Sequence, residues 1–415
     1  MTDSADRTDP GRADRHAVVI GGSVAGLLAA QVLSEYADRV TVVERDTYPD
    51  GIEQRSGVPQ GRHLHVLLAG GQQALEELLP GACEQLRREG APSVGMPGDL
   101  AQWQLGRWYR RTPASVYLST GSRPLTEAVI RRRVLANPRI SALPGSEVTG
   151  LLGDATRVSG VLLRERGAAA TGTAPRQLTA SLVVDASGRG SLAPRWLAGI
   201  GAEAPREETI DTGLAYASRV YSGGMAAAPG PDLPGYYVVP HPGQTYGAVL
   251  LPLEEDRWLV TLSGLRGQEP PTDEEGFLKF AARLPHPAVH DWMATAKPES
   301  PVYGFRQTAN VRRRYDLPGR RPAGFLAIGD ALCTFNPIYG QGMTVAAQSA
   351  LALRTALDPA GRPATRRVQR ALLGAAQQAW DISAGSDRTM PGAVGSAAKM
   401  KAADRSASWY LTRVM

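Results

Sequence analysis

Residues 17–44, "AVVIGGSVAGLLAAQVLSEYADRVTVVE", constrain the fold of this chain more than any other stretch. Ala17 to Ile20 are apolar throughout, as a strand buried on both faces requires. Val24, Leu27, Leu28 and Val32 then recur at helical spacing, and Val40 to Val43 make a second apolar strand. The pattern predicts a βαβ unit whose glycine turn lies between the first strand and the helix. Gly21 makes the tight turn, Gly26 lets the helix pack closely on the strands, and position 23 faces a pyrophosphate. That position is Ser23, so the motif reads G-x-S-x-x-G, with Ala25 keeping the turn small. The serine hydroxyl is a further partner for a phosphate oxygen, and the diphosphate would rest on the helix N-terminus. Glu44 ends the second strand, with Arg45 behind it, and would accept hydrogen bonds from adenosine ribose hydroxyls. The unit predicts dinucleotide binding. No second fingerprint of this kind is present: "LLAGGQQALEELL" pairs its glycines but has neither the strand nor the acid.

Two later stretches repeat the scheme of apolar strand, acid and small-residue turn. In "SLVVDASGRGSLAPRWL", residues 181–197, the acid is Asp185; in "FLAIGDALCTFNPIYGQGM", residues 325–343, it is Asp330. In this order the three motifs resemble the FAD-dependent monooxygenases of the p-hydroxybenzoate hydroxylase class. There an N-terminal GxGxxG, a middle D-G/A-x-G-x-x-S and a later G-D-A…P…G-x-G-x-N/T clamp one FAD. The resemblance implies that Asp185 belongs to the clamp, that Asp330 bonds the ribityl hydroxyls, and that Pro337, Gly340, Gln341, Gly342 and Met343 lie against the isoalloxazine ring. The amides of the last four would open the helix "QGMTVAAQSALALRTAL" toward the flavin N1 and O2 edge. Reduced flavin is negative there, and a helix N-terminus stabilises such charge.

A narrower similarity lies in "RSGVPQGRHLHVLLAGGQQALEELLPG", residues 55–81, with "GGSVAGLLAAQVLS" before it and "SRPLTEAVIRRRVLANP" after it. These resemble a bacterial subgroup that includes the flavin epoxidases of polyether polyketide and terpenoid pathways, over nearly the whole chain to about residue 390. The resemblance implies that Arg62 approaches the cofactor phosphates. Arg123 either points at FAD or caps its own helix at the surface. His63 and His65 alternate along an extended stretch, so one of them is expected to face the cofactor. Members of the subgroup usually run longer at the C-terminus, whereas this chain stops at Met415 inside the apolar-periodic "SWYLTRVM".

The expected fold class is α/β: a Rossmann-like FAD-binding domain, an interleaved antiparallel-sheet substrate domain (the α+β part) and a C-terminal helical segment. FAD-binding parts are expected at 1–90, 116–203 and 306–358, a substrate-domain insertion at 91–115, the substrate-binding sheet at 204–305 and the helical segment at 359–415. Between 204 and 305, "TGLAYASRVYSG", "GYYVVPHP" and "YGAVLLPLEEDRWLVTLSGL" read as strands, the last as a hairpin turning at "LEEDR". Tyr216, Tyr221, Tyr236, Tyr237, Tyr246 and Trp258 are candidates to line an apolar pocket, though aromatics in strands are most often core. From Asp273 "DEEGFLKFAARL" returns to helical spacing.

Other classes of function are poorly served. Cys83 and Cys333 are the only cysteines, and among six histidines only His63 and His65 stand within two residues of each other, so no metal site is expected. The net charge of +6 comes mostly from arginine, without the aromatic interleaving or motif of a nucleic-acid binder. No apolar run reaches the roughly 18 residues of a membrane span. The start "MTDSADRTDPGRADRH" is a polar lead-in, and "AVVI" is too short for a signal peptide, so a cytoplasmic protein is expected.

In the resembled class NADPH or NADH reduces FAD from a transient position, which suits the single fingerprint. Oxygen then forms a C4a-hydroperoxyflavin that passes one oxygen atom to the substrate. The expectation is a monooxygenase that epoxidises or hydroxylates a hydrophobic polyketide or terpenoid. The absence of a clear acid/base constellation leans toward epoxidation, and the positive surface would suit an acidic carrier protein holding the substrate. A flavin halogenase would need an N-terminal-region lysine and a W-x-W-x-I-P stretch. Lys279 is the first lysine, and no tryptophan pair has that spacing. Two further readings share the same nucleotide motifs: a flavin reductase of isoprenoid double bonds, and a protein that keeps FAD as a structural ligand.

Overall fold

A computed structural model describes residues 15–166, 175–223, 235–357 and 364–399. The polar lead-in before residue 15 and "SWYLTRVM" lie outside the described residues. The βαβ unit runs as β1 (His16–Ile20), α1 (Val24–Leu33) and β2 (Arg39–Val43). β1 is paired on one side with β2 and on the other with Leu182–Asp185, both parallel. Phe325–Ala327 and Ile140–Leu143 complete a five-stranded parallel sheet, one at each edge. All five residues of β1 are buried, which explains the apolar run Ala17–Ile20, and buried His16 is held by Thr41 and the Thr179 carbonyl.

This pairing brings the three motifs together. Ile20 is in register with Asp185, and Asp185 with Ala327, so the turns after all three strands leave the sheet at one end. The chain departs from β1 toward opposite edges there, the crevice where open α/β sheets bind ligands. The helix Gly342–Ala356 packs against α1, and its alanines and Ser349 keep the two close. The helix Thr365–Thr389 closes the far edge. Its Gln369 side chain accepts from Ala327 N at 3.0 Å and donates to Ala327 O at 2.9 Å, satisfying the edge strand as another strand would.

A second, eight-stranded sheet carries the strands expected between 204 and 305. Leu100–Gln104 joins it parallel to Gly235–Val238, which draws part of 91–115 into the same sheet. Tyr246–Pro252 and Arg257–Gly264 form the hairpin, turning where Glu255 and Asp256 have positive φ. One face packs on the helices Glu274–Ala281 and Ala288–Thr295 around Phe277, Phe280 and Trp292. Tyr221, Tyr236 and Trp258 belong to that core, with Tyr246 beside it, so four of the six aromatic candidates face away from the nucleotide sheet. Tyr216 and Tyr237 are on the other side. Among the described residues no helix is long and apolar enough to cross a membrane, and no group of three or more His, Cys, Asp or Glu side chains is placed to hold a metal.

Candidate functional site

The nucleotide turn is as tight as its glycines suggest. Gly21 has φ +97°, and a Cβ there would lie 2.6 Å from the Ala186 carbonyl oxygen. At Gly26 a Cβ would come within 1.8 Å of Gly21 O, so α1 meets its own turn with no room for a side chain. Ser23 is the N-cap of α1 but makes no cap bond. Its hydroxyl donates to Glu127 Oε2 at 2.6 Å and accepts from Arg123 Nη2 at 2.7 Å. The first turn of α1 carries no acidic side chain of its own, and the Glu127 carboxylate beside Ser23 is paired with Arg55 and Arg123.

Glu44 is buried at the end of β2. Its carboxylate accepts from Gly22 N at 2.7 Å and Asp46 N at 2.9 Å, which ties the glycine turn to the second strand. Each oxygen keeps a further lone pair for a hydroxyl. Beside it, Arg55 is sandwiched between Glu127 (2.6 Å), Glu44 (3.4 Å) and Asp46 (3.7 Å). Arg55 and Glu127 are residues that sequence reasoning passed over. The signal for Glu127 was its i,i+4 relation to Arg123; Arg55 lay unremarked at the start of the 55–81 stretch.

A cavity of about 530 Å³ runs from Glu44 and Arg45 past Gly21, Ser23 and Ala25 to Asp330, Pro337, Gly340, Gly342 and Met343. Arg123 and His65 also line it. Five expected site residues are not in its wall. Gly26 packs beneath the turn, and Gln341 stands outside the lining. Arg62 is exposed, its guanidinium 4.6 Å from the Tyr303 ring centre, because the short 3-10 turn Pro59–Arg62 carries it outward. Asp185 stands behind the wall and shapes it, accepting from Ser187 N at 3.0 Å and from the hydroxyls of Ser187 and Ser191. His63 is also behind, with Nδ1 2.9 Å from Ser218 Oγ and its ring edge-on to Tyr216. Burial holds the His63 pKa down to about 4 and that of His65 to about 3, with neighbouring arginines adding to both. His65 Nδ1 donates to the His63 carbonyl at 3.0 Å, so its Nε2 carries the lone pair.

Asp330 leaves the sheet through Gly329, whose φ is +59°. Burial pushes its carboxyl above the ordinary range, against the pull of Arg189, Arg123 and Arg313. Arg189, within "DASGRGS", lines the cavity and donates to Ala309 O at 2.8 Å; it is a further residue that sequence reasoning passed over. Gly340, with φ +64°, lets the backbone reverse before the helix Gly342–Ala356; a Cβ there would sit 2.7 Å from Val66 Cγ2. That helix also begins without an acid or a side-chain cap. The cavity therefore joins two uncapped helix N-termini to two acids, Glu44 and Asp330. Those features fit a diphosphate between two polyhydroxylated groups, as FAD presents.

Fold and cavity together define a nucleotide-binding flavoprotein. Residues 14–363 match the FAD binding domain family (FAD_binding_3), and the chain belongs to it. It is 35% identical over 362 residues to Protein Rv3254 of Mycobacterium tuberculosis (strain ATCC 25618 / H37Rv), an alignment covering 82% of this chain and 73% of that protein. Among solved structures it is similar to pqsL, a probable FAD-dependent monooxygenase from Pseudomonas aeruginosa, with a TM-score of 0.66, 20% identity, and 90% and 94% of the two chains covered. The flavin-dependent brominase Bmp2 aligns with a TM-score of 0.66 and 17% identity, over 90% of this chain and 85% of that one. The flavin-dependent halogenase CmlS aligns with 0.68 and 19%, over 96% and 70%. At these identities the likeness is one of fold.

Proposed function

We propose that this protein is an FAD-dependent monooxygenase that uses NADPH or NADH and O2 to epoxidise, or alternatively hydroxylate, a hydrophobic polyketide or terpenoid. One observation carries the reading. A half-buried apolar set, Leu64, Val66, Met96, Tyr237 and Val249, packs where the eight-stranded sheet meets the turn Pro337–Gly340. The Tyr237 hydroxyl donates to Ile338 O at 3.5 Å, tying this roof to the turn. Leu64 and Val66 carry this apolar set into the cavity wall, which suits an apolar substrate.

Bound FAD would supply the acceptance of hydride and the activation of oxygen. Gly21, Ser23, Glu44, Arg45, Arg123 and Asp330 would hold it along the cavity, and the first turn of Gly342–Ala356 would favour negative charge beside Gly342 and Met343. Arg62 and Asp185 would act from outside the wall. His65 is the histidine that lines the cavity, and with a pKa near 3 it is a weak base. That suits epoxidation, which needs no general base, better than phenol hydroxylation. The absence of lysine before Lys279 argues against halogen transfer. A positive net charge suits an acidic carrier protein bearing the substrate.

The deciding experiment is anaerobic addition of NADPH, then NADH, to the FAD-loaded protein, followed by air. Bleaching of the flavin band and its return with release of hydrogen peroxide supports the monooxygenase, and a polyene screen then identifies substrate. Turnover on an isoprenoid without oxygen uptake would establish the double-bond reductase instead. A flavin that neither nucleotide bleaches, with or without substrate, would point to a structural ligand.

A further inference from the structure

Asp387 lies at the end of the helix Thr365–Thr389, far in sequence from the three nucleotide motifs, and is 2% exposed. Its partners are neutral. Oδ2 accepts from Asn310 Nδ2 at 2.7 Å and from Asn336 Nδ2 at 3.0 Å, and Oδ1 accepts from the Tyr339 hydroxyl at 2.8 Å. The two amides cannot turn round. Asn310 Oδ1 already accepts from Asn336 N at 2.9 Å and from Ser383 Oγ at 2.6 Å. Asn336 Oδ1 accepts from Ile338 N at 3.3 Å. Both NH2 groups are therefore committed to Asp387, which must accept where they donate. Asn310, Asn336 and Ser383 are each no more than 1% exposed, so water does not complete this network.

Asn336 and Tyr339 bracket the turn whose Pro337 and Gly340 line the cavity. The turn's own bonds, Tyr339 N to Asn336 O and Gly340 N to Pro337 O, are internal, and the bond it receives from the Tyr237 hydroxyl at Ile338 O is long, at 3.5 Å. We infer that Asp387 is a positioning residue for the flavin-edge turn: it touches neither cofactor nor substrate, but through Asn336 and Tyr339 it anchors Pro337–Gly340 to the C-terminal helix. This rests on the reading of that turn as the flavin edge. It makes the helix beyond the nucleotide-binding family's matched residues a working part of the site.

The test uses the full chain as wild type, Asp387→Asn and Tyr339→Phe, each titrated with FAD and examined by visible spectroscopy and by reduction potential against a reference dye. In Asp387→Asn the amide oxygen can still serve Asn310 and Asn336 from the Oδ2 position, but the NH2 that replaces Oδ1 meets the Tyr339 hydroxyl, which must turn its proton away, and the Asn336 donor 3.2 Å off. FAD should bind at least tenfold more weakly, with a shifted flavin band or potential. Tyr339→Phe removes one donor and should move the same quantities the same way, by less. If both variants fold and match wild type in FAD affinity, spectrum and potential, with only melting temperature lowered, the role of Asp387 is structural and the inference falls. If Asp387→Asn does not fold, Tyr339→Phe decides alone, and an unchanged flavin signal in it overturns the inference. A wild type that takes up no FAD overturns the flavin reading itself.

Discussion

The Ser23 hydroxyl and the Glu127 carboxylate lie 2.6 Å apart across 104 residues of chain, joining the nucleotide turn to the helix Arg123–Leu135. Glu127 also carries most of the neutralisation of buried Arg55, at 2.6 and 2.7 Å. Removing one partner of a buried pair leaves the other uncompensated. Glu127→Gln should therefore destabilise the fold by about 3 kcal/mol, read as a lower urea midpoint at unchanged slope. A change below about 0.5 kcal/mol would mean that Glu44 and Asp46 suffice for Arg55.

Two glycines should respond in opposite directions. Gly26→Ala places a Cβ on Gly21 O, and overpacking of that kind should cost about 3 kcal/mol and abolish FAD uptake. Gly374 is an exposed position inside the C-terminal helix, with nothing within 4 Å of where a Cβ would stand. Gly374→Ala should stabilise by about 1 kcal/mol through helix propensity. Melting temperatures of the two variants, with and without FAD, check both.

The pH dependence of stability should carry the mark of His63. Its folded pKa of about 4 lies below the unfolded value of 6.5, so the unfolded chain takes the proton first. The contribution is full above pH 6.5, is lost as pH falls toward 4, and does not change further below that. From pH 7 to 5 one such group removes about 2 kcal/mol. Asp185, Asp330 and Asp387, whose pKa values burial raises, act with the opposite sign, favouring the fold at low pH. The informative comparison is therefore between proteins. His63→Asn, which keeps a polar atom near Ser218, should lose less stability between pH 7 and 5 than wild type. Equal losses would show that the imidazole takes up its proton over the same pH range in the folded chain as in the unfolded one.

FAD should raise the melting temperature of wild type, because a ligand that binds only the folded state stabilises it by about 2.7 kcal/mol at a hundredfold excess over Kd. Asp330→Ala should remove most of that rise while leaving the FAD-free protein within about 1 kcal/mol of wild type, since the acid's burial is itself unfavourable. An undiminished shift would place the ribityl contact elsewhere.

Much of the site could be read along the chain because its demands are local. Gly21, Gly26, Asp330 and Gly340 stand where strand ends and turns of the βαβ and strand–turn–helix type need small residues or acids, and those needs act over a few residues. The 55–62 stretch was harder. Which of Arg55 and Arg62 enters the protein depends on the 3-10 turn between them and on three acids from β2, its following loop and a distant helix.

The aromatic residues divide in the same way. The alternation of residues 215–264 determined that there would be strands with two unlike faces. Which face met the cavity was decided only by docking: the helices at 274–281 and 288–295 covered Tyr221, Tyr236 and Trp258, leaving Tyr216 in the cavity wall and Tyr237 beside the turn Pro337–Gly340. Asp387 is the extreme case. Nothing near it in sequence announces a role, because a buried carboxylate is defined by the donors that surround it. Asn310, Asn336 and Tyr339 are assembled only by packing the last helix onto the sheet. The backbone's local chemistry is written in order along the chain, whereas burial and charge compensation are properties of neighbours in space.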